Sequence, residues 1–334
     1  MADNQAVESW LKWLTLNKGR SDATEVKYRN HLNRFFDFLD GRPIGSVTLD
    51  DLEAFTGEHL FKTRGLKPRT RSTAVAAIRS FFSWAVKTGL IVSDISESLA
   101  YPSVGKRLPR GISLQDAETL LMAPDLDTFL GVRDAAMMAL LIGCGMRVSG
   151  LVGLNQSSLI FTKDHKGRDR LIVRVLEKGN KERLIPAPSE AMLLVRAYLG
   201  HDELERIDRH LPNGDQVLFV SVKNNSVPAH EYHGENRRLA PRSVNDRLVK
   251  YAEQSGVSVK FAHPHAFRHL YGTELTESDV NLLTTQALMG HESPEYTGIY
   301  TSLAVRKLTD EVEKANPLGK MRTPVTDLLK QLGL

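Results

Sequence analysis

Apolar positions recur at helical spacing through the first ninety or so residues. Val7, Trp10, Leu11 and Leu14 share one face, and Tyr28, Leu32, Phe35, Phe36 and Leu39 share another, so about Ala6 to Leu39 predicts two helices, the second capped by Ser21 or Asp22. After a Gly/Pro connector from Gly41 to Thr48, a short third helix opens at Thr48 or Asp50 and runs through Phe55 and Leu60. A helix over roughly Arg69 to Thr88 turns Val75, Ile78, Phe81, Phe82 and Ala85 inward. The stretch Tyr101 to Gly111, with two prolines, two glycines and three basic residues, breaks all periodicity and reads as a linker.

Beyond the linker, Ser113 caps a helix containing Ala117, Leu120 and Leu121, and Arg133 to Ile142 is apolar enough to be buried on every side, ending at Gly143 and Gly145. The period then changes. Ser158 to Thr162 and Leu171 to Leu176 read as strands joined by a basic polar turn, and Lys178-Gly179-Asn180 makes a further tight turn, so a small antiparallel sheet follows. Ser189 to Leu199 returns to helix, Leu218 to Ser221 reads as a short strand, and Lys223 to Pro241 is a long polar loop with no assigned role. Arg242 to Ser255 is a helix with Val244, Leu248 and Tyr251 inward. The fold class expected is mainly α with a small antiparallel sheet, in a helical domain over 1–100, a linker over 101–111, an α+β domain over 112–322 and a tail helix over 323–334.

Chemistry concentrates between His263 and Tyr300. Pro264 suits the first turn of a helix, which then carries His265, Arg268, His269 and Gly272 at i, i+3, i+4 and i+7 as one polar stripe, with Ala266, Phe267, Leu270 and Tyr271 packed behind. A second helix from Asp279 to Met289, capped by Ser278 or Asp279 and burying Val280, Leu283, Ala287 and Leu288, stops at Gly290 in a left-handed conformation. His291 leaves from that stop. Ser293 and Pro294 restart a helix carrying Tyr296 and Tyr300. Guanidinium, imidazole and phenol without a run of carboxylates suit a phosphodiester: Arg binds the non-bridging oxygens, His moves protons, and a phenol oxygen attacks phosphorus. His265 and His269 also have the spacing of zinc ligands, but no Glu follows the first His and Arg268 on the same face opposes a cation, so no metal and no cofactor are expected.

The chain has 334 residues, 41% hydrophobic and 25% charged, enough for two cores. A net charge of +4 is mild, so the distribution matters more than the total. From His59 to Ser93 there is no acidic residue, while Lys62, Arg64, Lys67, Arg69, Arg71, Arg79 and Lys87 fall inside. That one-sign window, crowded at a helix start, favours DNA contact over a merely solvated face. Cys144, the one cysteine, excludes an internal disulfide and fits a small buried apolar role. With no signal-peptide pattern and no long apolar run, the expected location is the cytoplasm, with no membrane partner.

His265-x-x-Arg268, Gly290-His291 and Tyr300 nine residues later resemble the signature of the tyrosine site-specific recombinases, which include the Xer and phage integrase proteins. GCGMRVSGLVGL, with Arg147, resembles the family's first arginine box, and EKGNKERLIP its lysine hairpin. The resemblance implies a SAM-like core-binding domain followed by a catalytic domain. It implies that Tyr300 attacks DNA to form a 3′-phosphotyrosine, that Arg147, Arg268 and His291 hold the phosphate, that His265 takes the nucleophile's proton, and that Lys178 protonates the leaving 5′ oxygen. Lys181, merely touching phosphate, is the alternative at the hairpin. Lys106 and Arg107 would run along the DNA backbone from the linker. The partners implied are double-stranded DNA with an inverted-repeat core site and three further subunits, in a homotetramer or a heterotetramer with a second recombinase, passing through a Holliday junction.

Gly150 departs from the pattern, because the family usually has an acidic residue three positions after that arginine. Two other functions share the cluster: a relaxing topoisomerase of the same chemistry, and a DNA-binding regulator that has lost catalysis. The tail TPVTDLLKQLGL, with Thr323 as cap, Pro324 at the first turn and Val325, Leu328, Leu329 and Leu332 as an apolar stripe, docks either on its own domain or on a neighbour, and the resemblance favours the neighbour.

Overall fold

The structure is a computed structural model that describes residues 2–20, 22–103, 111–164, 166–177, 181–224, 226–290 and 302–331. Lys106, Arg107, Lys178, His291, Tyr296 and Tyr300 lie outside the described residues. The chain divides into two units, Met1–Leu108 and Pro109–Leu334.

In the first unit, α1 (Ala2–Lys18) and α2 (Asp22–Leu39) pack through the faces that their periodicity marks. Trp10 is fully buried, stacked on Tyr28 at 5.8 Å and meeting the edge of Phe81 at 5.5 Å. Thr48 caps α3 (Leu49–Glu53) in a reciprocal box with Asp51, each side chain accepting from the other's backbone N–H. The expected helix then continues not as α but as a π-helix, Ala54–Thr63. Its wider turns bring His59 against both Phe38 and Phe55, at 5.3 and 5.7 Å. Pro68 starts α4 (Pro68–Lys87), which buries Val75, Ile78, Phe81, Phe82 and Ala85. Lys67 occupies its cap position without supplying a side-chain acceptor. Around this uncapped start Lys62, Arg64, Lys67 and Arg69 are exposed. Arg71 lies over the Phe61 ring at 4.6 Å and Arg79 over Tyr101 at 5.5 Å, so those two are half-buried cations stacked on aromatic faces.

The second unit is built around α6 (Phe129–Cys144), buried on every side as its composition requires, after α5 (Leu114–Met122) with Ser113 as its cap. Two charges sit inside it. Arg133 and Asp134 pair at 2.7 Å, Arg133 donates to the Val220 carbonyl, and Asp134 accepts from Tyr251 at 2.9 Å, so each buried charge is neutralised and hydrogen-bonded. After the short α7 (Val148–Val152) come β1 (Leu159–Lys163), β2 (Asp169–Glu177) and β3 (Lys181–Ala187), an antiparallel sheet in chain order. Leu171, Val173 and Val175 of β2 face the core in alternation. Pro186 lies on β3, an edge strand, where a missing N–H is tolerated.

Next come α8 (Ser189–Leu199), α9 (Asp202–Glu205), α10 (Pro241–Ser255), α11 (Pro264–Glu277), α12 (Leu282–Met289), α13 (Ser302–Ala315) and α14 (Thr326–Gln331). The strand expected at Leu218–Ser221 does not form. Val217 and Val220 make isolated bridges to Asn155 and Arg238, and the intervening Leu218 carbonyl is taken by the Tyr198 hydroxyl at 2.9 Å. The Lys223–Pro241 loop contains two 3₁₀ turns, Ala229–Glu231 and Gly234–Arg237.

The tail helix starts at Thr326 rather than Pro324, because Thr323 donates its N–H to the Thr326 hydroxyl and accepts from the Thr326 N–H in a tight turn first. It packs beside α8 of the same chain, with Val325 in the core and Leu328 44% exposed. A separate apolar cluster of Tyr271, Leu275, Val280, Leu288, Leu308 and Val312 binds α11, α12 and α13 together. That cluster flanks both ends of the segment containing His291 and Tyr300. Among the described residues no helix is long and apolar enough to cross a membrane.

Candidate active site

The site begins where α6 stops. Gly145 caps it with φ of 56°, and a Cβ there would stand 2.3 Å from a Tyr271 ring carbon, so both the left-handed backbone and the close approach require glycine. The turn presents the Gly145 carbonyl to α11, and Arg268 donates to it at 2.6 Å. Arg268 also donates to the Met289 carbonyl. Arg147, half-buried at the start of α7, reaches the Gly290 carbonyl at 3.5 Å. Gly290 itself ends α12 in the expected left-handed conformation, φ 60°. Two arginines that are 121 positions apart, counted from Arg147 to Arg268, thus converge on one helix end.

The polar stripe of α11 is only partly as expected. His265 and His269 are exposed, but Arg268 is 7% exposed, because the carbonyls of Gly145 and Met289 lie on its side of the helix. The Gly272 notch is not open to a ligand: a Cβ there would stand 3.1 Å from the Met289 methyl, so it admits α12 instead. In α12 the cap is Asn281, whose side chain accepts from the Leu283 N–H at 2.8 Å, not Ser278 or Asp279. Asp279 has φ of 57° and belongs to the preceding turn, and Leu283, expected inside, is 55% exposed. Tyr271 is fully buried, and burial raises its phenol further above the ordinary tyrosine range, so it is no rival nucleophile. Cys144 is likewise buried, its thiol pushed up to about 12. Among the described residues no group of three or more His, Cys, Asp or Glu could hold a metal ion.

Gly150 is buried, and a Cβ there would stand 2.8 Å from Val175 Cγ1 on β2. The space that a carboxylate would need is taken by the strand beneath α7.

His263 was given no part by the sequence and has one. It caps α11, its Nδ1 accepting from the Ala266 N–H at 3.0 Å, which requires that nitrogen to be unprotonated. Burial, and then the neighbouring His265 and His269, lower its pKa below the ordinary value. A lowered folded pKa means a contribution to stability that is complete above about 6.5 and is lost as pH falls through the folded value. His31 in the first unit shifts in the same direction through burial, so the comparison must be internal. We expect His263→Asn, which keeps a cap acceptor without titrating, to flatten the decline of melting temperature between about pH 7 and pH 5 relative to the unsubstituted protein. Parallel curves for the two proteins would show that His263 does not titrate in that window.

The architecture is a helical unit followed by an α+β unit in which two arginines gather at one helix end. Comparison with known proteins fixes the rest. The model of the phage integrase family matches residues 112–307, and that of the phage integrase N-terminal SAM-like domain matches residues 7–89. The chain is 32% identical to tyrosine recombinase XerD of Pseudomonas aeruginosa, over 95% of this chain and 99% of the relative. It is 31% identical to tyrosine recombinase XerC of Shewanella amazonensis, over 96% and 99%. Similar solved folds include XerH site-specific recombinase bound to difH substrate, with TM-score 0.60, 18% identity and 85% and 78% coverage. A lambda integrase tetramer bound to a Holliday junction has TM-score 0.59 at 18% identity, covering 89% and 79%. The chain belongs to the phage integrase family: it is a tyrosine recombinase, an enzyme that cuts and rejoins DNA strands in site-specific recombination.

Proposed function

We propose that the second unit exchanges strands at an inverted-repeat core site in duplex DNA through a 3′-phosphotyrosine on Tyr300. Arg147, Arg268 and His291 neutralise the pentacoordinate phosphate, His265 takes the phenol proton, and Lys178 gives a proton to the leaving 5′ oxygen. The ester conserves the energy of the broken bond, so rejoining is the reverse attack by a 5′ hydroxyl. The observation that carries this reading is the convergence of Arg268 and Arg147 on the successive carbonyls of Met289 and Gly290, the last two residues before His291. A phosphate entering there would meet two fixed guanidiniums, with His265 exposed one turn before Arg268 on α11.

In this reading residues 1–100 bind DNA through Lys62, Arg64, Lys67, Arg69, Arg71 and Arg79, the 101–111 linker adds Lys106 and Arg107, and 112–322 is the catalytic domain. The exposed cations around the uncapped start of α4 support it. Four subunits, of this chain alone or with a second recombinase, would assemble on two sites, and the 323–334 tail would pass between neighbours. The like-folded lambda integrase solved as a tetramer on a Holliday junction supports four-fold assembly. The test uses a supercoiled plasmid carrying two copies of the sequence that the protein protects from nuclease. Excision or inversion between the copies is expected. Relaxation without exchange would make it a topoisomerase, and protection alone a regulator.

A further inference from the structure

Three successive carbonyls at the end of α12 are each bonded by an arginine from a different place in the chain. Leu288 accepts from Arg183, Met289 from Arg268 and Gly290 from Arg147. Arg268 and Arg147 have parts in the proposed chemistry, but Arg183 does not. It lies on β3 at 8% exposure, paired in register with Val175 and sharing the inward face with Ile185 and Ala187. A cation on the core side of a strand is costly unless it is hydrogen-bonded there, and the Leu288 carbonyl supplies such a bond. Leu288 is three residues before His291.

We infer that Arg183 is a positioning residue for the recombinase reaction, fixing against the sheet the last turn of α12, and with it the point at Gly290 from which the chain continues into His291. The inference rests on the proposed role of His291. A helix end is the part most prone to fray, and its last carbonyls have no partner within the helix. Tying Leu288 to β3 fixes where the chain leaves α12 after Gly290. Arg183 touches neither phosphate nor leaving group in this account; its effect on rate passes through His291.

The test compares Arg183→Gln, Arg183→Lys, His291→Ala and the Arg183→Gln/His291→Ala double variant in the full chain, on nicked suicide DNA and its 5′-bridging phosphorothioate counterpart. Arg183→Gln is expected to cleave about 10- to 100-fold more slowly at saturating enzyme, with DNA affinity within about twofold, in line with losses on removing an orienting partner. Arg183→Lys, which keeps one donor for Leu288, should recover part of the loss. The thio substrate should not rescue Arg183→Gln, since no leaving-group proton is involved, and the double variant should be no slower than His291→Ala alone. Wild-type cleavage by Arg183→Gln, rescue by the thio substrate, or additivity with His291→Ala would each overturn the inference. Loss of DNA affinity together with a lowered melting temperature in both Arg183 variants would reduce Arg183 to a structural role and overturn it as well. If His291→Ala itself cleaves at the wild-type rate, it is the proposed role of His291 that fails, and that arm shows it separately.

Discussion

Tyr300→Phe is expected to bind its DNA site normally and to form no covalent adduct on nicked suicide DNA, while Tyr296→Phe, four residues earlier, still forms it. The phenol oxygen is the only atom removed, and it is the atom that bonds to phosphorus. Tyr271, fully buried against the Gly145 turn, does not stand in for it. With a phenol pKa near 10 the attacking oxygen must lose its proton at the moment of attack, which is the part given to His265. His265→Ala should therefore retain a slow adduct where Tyr300→Phe has none. An adduct on Tyr300→Phe, absent from Tyr296→Phe, would transfer the nucleophile's role to Tyr296. Denaturing gels of protein on end-labelled DNA read the result directly.

Lys178→Ala is expected to cut ordinary DNA about 10² to 10⁴ times more slowly, the range for a lost general acid. The same variant should cut DNA with a 5′-bridging sulfur at nearly the unsubstituted rate, because a thiolate leaves without a proton. Lys181→Ala is the control, since a lysine that only attracts phosphate would weaken both substrates alike and modestly. Equal losses for Lys178→Ala on oxygen and sulfur substrates would move Lys178 from proton donor to phosphate contact. If Lys181→Ala instead shows the sulfur-rescued defect, the acid is the lysine after the turn.

Helix existence was legible wherever one apolar stripe decides it. Val7, Trp10, Leu11 and Leu14, or Val244, Leu248 and Tyr251, mark a face whatever the rest of the fold does. The stops at Gly145 and Gly290 were legible because a left-handed residue at a helix end strongly favours glycine. What spacing alone could not give was the partner across space. Arg268 sits on a polar stripe by count, yet two carbonyls from distant segments enclose it. Leu218 to Ser221 has the residue types of a strand, but its hydrogen bonds go to single residues and a tyrosine hydroxyl. The helix at Ala54 keeps its apolar residues while changing its hydrogen-bond step, which period counting over ten residues does not separate from an α-helix. Arg183 did leave a signal: an arginine in phase with Ile185 and Ala187 breaks the apolar face of an otherwise inward strand.

The end of α12 has a further consequence, which concerns charge before any DNA arrives. Bringing three guanidiniums to one spot sets like charges against each other, and in a partly buried place that repulsion is weakly screened. A helix C-terminus carries about half a negative charge, spread over its last carbonyls. The three carbonyls of Leu288, Met289 and Gly290 therefore act as a built-in counter-ion for Arg183, Arg268 and Arg147. These helix-end carbonyls help to hold the cations assembled before any DNA arrives. An incoming phosphate with a whole negative charge outweighs the half charge of a helix end, so these carbonyls are weak enough competitors to give the arginines up to it.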